Sequence, residues 1–427
     1  MTGLVMPATE KRLVFAVLLV GVLAFLFWTQ SRYPQLDEKA MMSGAIQLED
    51  PISFDPIYPV SPEMPVVEKI ARSTVNWMDT NKKGMTFGVL IAAAFLTLFS
   101  YLQKRSFTNG FSNSALGLVM GAPLGVCVNC AAPIARGLYS GGMRAETTLS
   151  VMIASPTLNI VVLTMAFSLL PFYMAVTKIV LSLLVILVAV PLICRLLPKS
   201  ELQVPQIDVP APSDWAQAPK SENIFQALFG FVLTYAANLW YILKTTVPLM
   251  LLAGVLGATV GTLLPQDLIL GLGFSLGALV LIALVGTFLP VPIAFDVVLA
   301  GVLLSSGLAH GYVFALVFTL GSFSIYSYLI VATTISTRAA SLLAGVVIAL
   351  GVLGGVAAHS YHTWQTQRAL DILLGLNVLS CPRPPRRKSA VSRSRRVPLR
   401  RARLRRTRYS RGSRRLRSVS TSLWSSR

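Results

Sequence analysis

Gly121-Ala-Pro123-Leu-Gly125-Val-Cys127-Val-Asn129-Cys130-Ala-Ala-Pro133 is the stretch on which the reading of this chain turns. It lies inside an apolar run, Ser114 to Gly142, that glycine and proline interrupt again and again. An unbroken helix is not expected there, because proline removes a backbone donor and clashes with the preceding turn. Irregular backbone survives at membrane depth only when it is buried in protein or lines a cavity. If its surroundings are membrane, the stretch marks a path or a pocket.

The composition says that they are. Of 427 residues, 54 % are hydrophobic and only 13 % charged, and the mean hydropathy is +0.67. A soluble domain carries about 25 % charged residues, so most of this chain must face lipid. Disorder of the bulk is excluded, since it needs low hydrophobicity. The net charge of +20 is concentrated: Cys381 to Arg427 holds 18 Lys and Arg and no acid, leaving 19 basic and 17 acidic residues elsewhere. Four cysteines are too few for a disulfide scaffold.

Working outward, a span needs about 20 mostly apolar residues. Leu13 to Trp28, behind Lys11 and Arg12, reads as an uncleaved anchor, residues 1–30, because Phe25 to Trp28 is too bulky for a cleavage site. Residues 31–83 form a Pro-rich polar extracytoplasmic loop, with a short surface helix near Val66 to Trp77. Residues 84–198 form a first membrane repeat: a helix Met85 to Leu102, the broken stretch, and spans at Thr147 to Leu169 and Pro171 to Leu197. A polar linker covers 199–223. The second repeat, 224–358, has an edge helix Ile224 to Leu243 and a span Thr245 to Leu264. A broken stretch Leu268 to Ser305 follows, then spans at Gly311 to Thr333 and Arg338 to Val356. About ten hydrophobic segments result. Residues 359–427 are a basic tail read as disordered. It offers charge to anionic lipid, and neither a function nor a nucleic-acid partner is assigned to it.

Basic residues beside short loops set orientation. Lys11, Arg12, Lys104, Arg105, Arg144, Arg195 and Lys199 all favour the cytoplasm, so residues 112–142 must enter and return as a re-entrant hairpin. A shift of 165 residues aligns the two broken stretches without gaps, with Gly121 on Gly286, Leu138 on Leu303 and Gly142 on Gly307 among seven identities in 22 positions. Each unit crosses an odd number of times. The expected fold is therefore all-α: a polytopic transmembrane helical bundle with two inverted-topology repeats containing broken, re-entrant hairpins. In that plan the broken segments meet near the midplane and form the site.

No phosphate-cradling Gly-rich loop, His-Glu-x-x-His or Ser-centred elbow is present, so neither a built-in ATP motor nor an enzyme is expected, and no catalytic residue, metal or cofactor is assigned. Cys127 and Cys130 have three readings: small packing residues in a tight bend, a soft ligand pair for a thiophilic species, or a redox pair. Asn129 and Asn159 are amides within apolar segments. Burying one unpaired costs roughly 2–7 kcal/mol, so each needs a backbone, water or solute partner. Pro156 frees a backbone carbonyl beside Asn159, and Ser155, Thr157 and Asn159 can share one wall. Asp296 is the only carboxylate of the second hairpin, read either as a proton-coupling group or as lying at a wet mouth. Glu146 and His310 read as interfacial, and Lys178 and Lys244 as snorkelling to the interface. Pro133 and Ser322 complete the candidate substrate-binding set.

The first hairpin, its Ser140-Gly141-Gly142 turn and the Ala154-Ser155-Pro156-Thr157-Leu158-Asn159 element resemble the predicted-permease family that includes the organoarsenical efflux permeases. The resemblance is clearest over residues 112–165. It implies a multi-pass permease of the cell (inner) membrane whose Cys-bearing segment faces the path of a small solute, with a trivalent organoarsenical as the thiophilic candidate. The second half departs from the pattern: Val291-Pro292-Ile293-Ala294-Phe295 has no Cys, and Gly321-Ser322-Phe323-Ser324 replaces the Pro-Asn element. The competing class is a non-transport integral membrane scaffold or assembly component.

Overall fold

The computed structural model describes residues 8–34, 56–61, 63–101, 109–198, 200–202, 223–263 and 274–373. The tail beyond 373, most of the linker, Lys104 and Arg105, and the first residues of the second broken stretch lie outside the described residues. What is described is helical, with no strand. This follows from lipid solvation, since a helix satisfies every backbone group within one segment.

Five helices are long and apolar enough to cross a membrane, or seven if each of two bent pairs is one span. α1 (Ala8–Phe27) turns out its Val17, Leu18, Val22 and Phe25 and ends in a π-turn, Trp28–Arg32. α2 (Val66–Tyr101) begins inside the stretch read as loop. The surface helix expected near Val66 to Trp77 is its outer end, and Asn76 and Trp77 are buried. The first hairpin is α3 (Gly110–Gly121), a tight turn Ala122–Leu124, and α4 (Val128–Ser140). α5 (Ala145–Thr157) and α6 (Ile160–Leu169) form the first bent span. α7 (Phe172–Leu184) continues through a π-segment, Val185–Ala189, into α8 (Val190–Leu196).

The second half opens with α9 (Ile224–Leu263), one helix through Pro248 where an edge helix and a separate span were expected. α10 (Leu276–Phe288) and α11 (Phe295–Ser305) form the second hairpin. α12 (His310–Ser322) and α13 (Ile325–Thr334) are the second bent span, and α14 (Thr337–Leu373) runs 15 residues into the stretch read as tail.

The 165-residue shift carries over to the elements. It maps both ends of α5 onto those of α12, both ends of α6 onto those of α13, and the start of α7 onto that of α14. Both bent pairs turn by 41°, and Gly142 and Gly307 both hold positive φ, 91° and 81°. The packing is reciprocal: α3 lies on α5 as α10 lies on α12, while α4 packs on α13 and α11 packs on α6. Each hairpin thus leans on the bent span of the other half.

Candidate functional site

Each break exposes backbone groups that no helix satisfies, and a buried one left unpaired is costly. In the first break the buried Arg32 side chain donates through Nε to the Gly125 carbonyl. The Val126 N–H donates to Ser155 Oγ at 3.1 Å. In the second break Trp77 Nε1 donates to the Pro290 carbonyl. Gly125 and Pro290 are equivalent under the 165-residue shift, so both breaks are closed at the same point by a side chain from outside the hairpins.

The two breaks meet. Asn129 Nδ2 donates to the Val291 carbonyl at 3.0 Å, and Ser324 Oγ donates to Asn129 Oδ1 at 3.1 Å. Ser327 Oγ donates to the Val128 carbonyl at 3.4 Å. Asn129 therefore ties the first hairpin to the second break and to the second bend. At the first bend Asn159 caps α6 through Val162 N–H and donates to the Ser155 carbonyl at 2.7 Å and to that of Pro156. Ser324, its repeat equivalent, caps α13 through Ser327 N–H. Asn159→Leu leaves these partners unsatisfied at 1–3 kcal/mol for a buried group. Thermal unfolding of the purified variant is expected to show a loss of about that size, and a midpoint equal to the parent's would refute the cap.

Between the breaks lies a small cavity lined by Cys127, Val128, Pro156, Ile293, Asp296 and Gly321 among others. Its volume, about 10 Å³, admits roughly one water. Ala294, Asp296 and Leu320 aside, its walls pair by repeat: Val128 with Ile293, Pro156 with Gly321, and Cys127 with Pro292, also a wall residue. Cys127 caps α4, its Sγ accepting from Cys130 N–H at 3.1 Å, and the two cysteines form a disulfide.

One pair of charges faces this point. Lys178 on α7 donates through Nζ to Asp296 Oδ2 and to the Val317 carbonyl at 3.0 Å. Lys178 is 1 % and Asp296 3 % exposed. The snorkelling expected of Lys178 is corrected: it lies two turns inside its span, and the Asp296 carboxylate offsets the desolvation of its ammonium. The wet-mouth reading of Asp296 falls for the same reason. Lys244 is exposed. Glu146 is buried rather than interfacial and pairs with Arg144 at 2.9 Å, which raises the Arg144 guanidinium above its ordinary pKa. His310 stacks on His362 with ring centroids 3.5 Å apart.

Of the residues expected at the site, Cys127, Pro156 and Asp296 line the cavity, while Asn129, Ser155 and Asn159 hold the breaks around it. Cys130 and Pro133 are buried in α4. The Thr157 and Ser322 hydroxyls are taken by the Ile153 and Phe318 carbonyls of their own helices, at 2.6 Å each. Lys178, Gly321 and Ser324 were not anticipated. The signal for Lys178 was an uncompensated cation in one apolar segment and an uncompensated anion in another.

The family described as predicted permease matches residues 83–360, which take in both hairpins and both bent spans. This chain belongs to that family. It is also similar to the UPF0718 protein YraQ of Escherichia coli (strain K12), 26 % identical over 279 residues, 64 % of this chain and 77 % of the relative. No solved structure matches it. The protein is thus a multi-pass membrane permease, a transporter of a small solute, with its apolar helices in contact with the bilayer. Arg32 and Trp77, which close the breaks, come from the part of this permease ahead of the family match.

Proposed function

We propose that the permease moves its solute by alternating access between two inverted repeats, with the small cavity between the hairpin breaks marking, in a closed conformation, the point where the solute site opens. The observation that carries this reading is the cavity's lining, drawn from both breaks and both bends at repeat-equivalent positions. Reciprocal packing of each hairpin on the other half's bent span is what a two-fold relation gives. The inversion is supported by counting. With each bent pair as one span, the chain crosses seven times. The Arg338–Glu201 ion pair at 2.7 Å then brings the start of α14 beside the linker after α8, on the same side. That linker follows Arg195 and favours the cytoplasm, so the two hairpins enter from opposite faces of the inner membrane.

The solute we favour is a thiophilic species such as a trivalent organoarsenical, moved outward, because Cys127 is the soft atom on the cavity wall. A disulfide offers no thiolate, so this role belongs to the reduced pair. Cytoplasmic conditions keep thiols reduced, and the first hairpin enters from that side. In a host lacking its own exporters, the chain is expected to raise resistance to phenylarsenous acid, and Cys127→Ser/Cys130→Ser to remove most of the gain. In membranes, binding of the probe should require prior reduction. Resistance that survives the double substitution would exclude the thiol role and leave the permease reading standing.

A further inference from the structure

We propose that Asp296 is the site that binds and releases the coupling proton of this permease, with Lys178 as the internal cation that takes the proton's place when the cavity is closed. The proposal rests on the alternating-access reading above. Asp296 stands at the start of α11, in the second half, and borders the cavity. Lys178 stands on α7, in the first half, and reaches it across 118 residues of sequence. The contact therefore spans the two units that must move relative to each other, at the one place where solute and charge meet.

Among the described residues, the surroundings leave no other counter-charge. α12 contributes the Val317 carbonyl, which holds the ammonium, and Gly321, where a Cβ would come within 2.8 Å of Lys178 Nζ. The first hairpin contributes Cys127, bonded to Cys130, and α5 contributes Pro156. The charged groups of the neighbouring helices are engaged elsewhere: Glu146 with Arg144, Arg136 with Thr245 and Thr333, His310 with His362. Lys178 is the cation that faces Asp296. Both are nearly dry, so neither charge is tolerated alone. When the second hairpin moves off α7, water enters and hydrates the Lys178 ammonium, and the carboxylate takes a proton from hydronium on the side then open, giving a neutral carboxyl and water. When the contact re-forms, the ammonium replaces that proton, which leaves to water on the side where the cycle closes. No oxidant or further reactant is needed.

Two measurements on the full chain test this. In lipid nanodiscs, infrared difference spectra recorded on acidification are expected to show a protonated-carboxyl band that the parent gains and Asp296→Asn lacks. Conservative Asp296→Glu is expected to restore a band at a shifted position. In proteoliposomes, a gradient of one pH unit is expected to drive up to about tenfold accumulation of phenylarsenous acid per proton exchanged, and Asp296→Asn to reduce the ratio to near one. Difference spectra unchanged in Asp296→Asn, or gradient-driven accumulation that survives it, overturn the proposal. If the parent moves no phenylarsenous acid, the choice of solute fails, and the infrared difference spectra still decide whether Asp296 takes up the proton.

Discussion

Lys178→Met is expected to cost about 3–5 kcal/mol of stability, because it strands the Asp296 carboxylate in a nearly dry interior. Asp296→Leu is expected to cost a similar amount by stranding the ammonium, whose remaining partner is the Val317 carbonyl. The double variant Lys178→Met/Asp296→Leu is the informative one. Replacing both charges of a buried pair by apolar side chains is often neutral or stabilising, so the double should recover most of what each single loses. Chemical unfolding of the purified chain in detergent, read as a double-mutant cycle, measures this directly. Losses that simply add would mean that the two side chains are not coupled in the folded protein. Recovered stability with transport abolished would separate the functional use of the charges from their contribution to the fold.

Replacing Gly117 or Gly121 by Leu is expected to unseat the first hairpin. The two residues form a Gly-x-x-x-Gly pair on α3 that lets its backbone approach α5 closely. A Cβ at Gly117 would lie 2.5 Å from the Thr147 carbonyl oxygen, and one at Gly121 would lie 2.8 Å from that of Val151. Neither neighbour is a flexible side chain, so the helices must separate. Overpacking typically costs about 1–3 kcal/mol, and because one separation of α3 from α5 relieves both clashes, a leucine in each position should cost less than the sum of the two singles. The measurement is protection of Cys127 and Cys130, after reduction, from a membrane-permeant thiol reagent. Native packing buries both cysteines, whereas a displaced hairpin should label many times faster. Slow labelling in both variants would show that α3 tolerates a wider seat on α5 than its glycines imply.

Much of this architecture was legible before any coordinates. The broken stretch at Gly121 to Pro133 and its counterpart at Gly286 to Pro292 identified the hairpins, because proline and glycine act on their own backbone and need no partner to do so. The 165-residue repeat was legible for a related reason: like backbones need small residues at like places. The long helices were less well read. Val66 to Trp77 and Ile224 to Leu243 carry enough polar or small residues to look separate, yet each is continuous with its span, since nothing at Lys83 or Lys244 ends a helix. At the site, Cys127, Asn129, Asn159 and Asp296 stood out as polar or reactive groups in apolar sequence. Thr157 and Ser322 looked equivalent to them, but a hydroxyl can bond back to its own helix, and theirs do.

The amino-acid order alone determined a membrane protein of helices, two fractured hairpins and an internal repeat, because hydropathy and backbone restriction are properties of short segments. Tertiary structure decided who satisfies whom. Trp77 reaches the Pro290 carbonyl across 213 residues, Asn129 reaches Val291 across 162, and Lys178 reaches Asp296 across 118. A freed carbonyl or a lone charge announces that a partner must exist. It carries no address for that partner, which is settled only when packing brings the segments together.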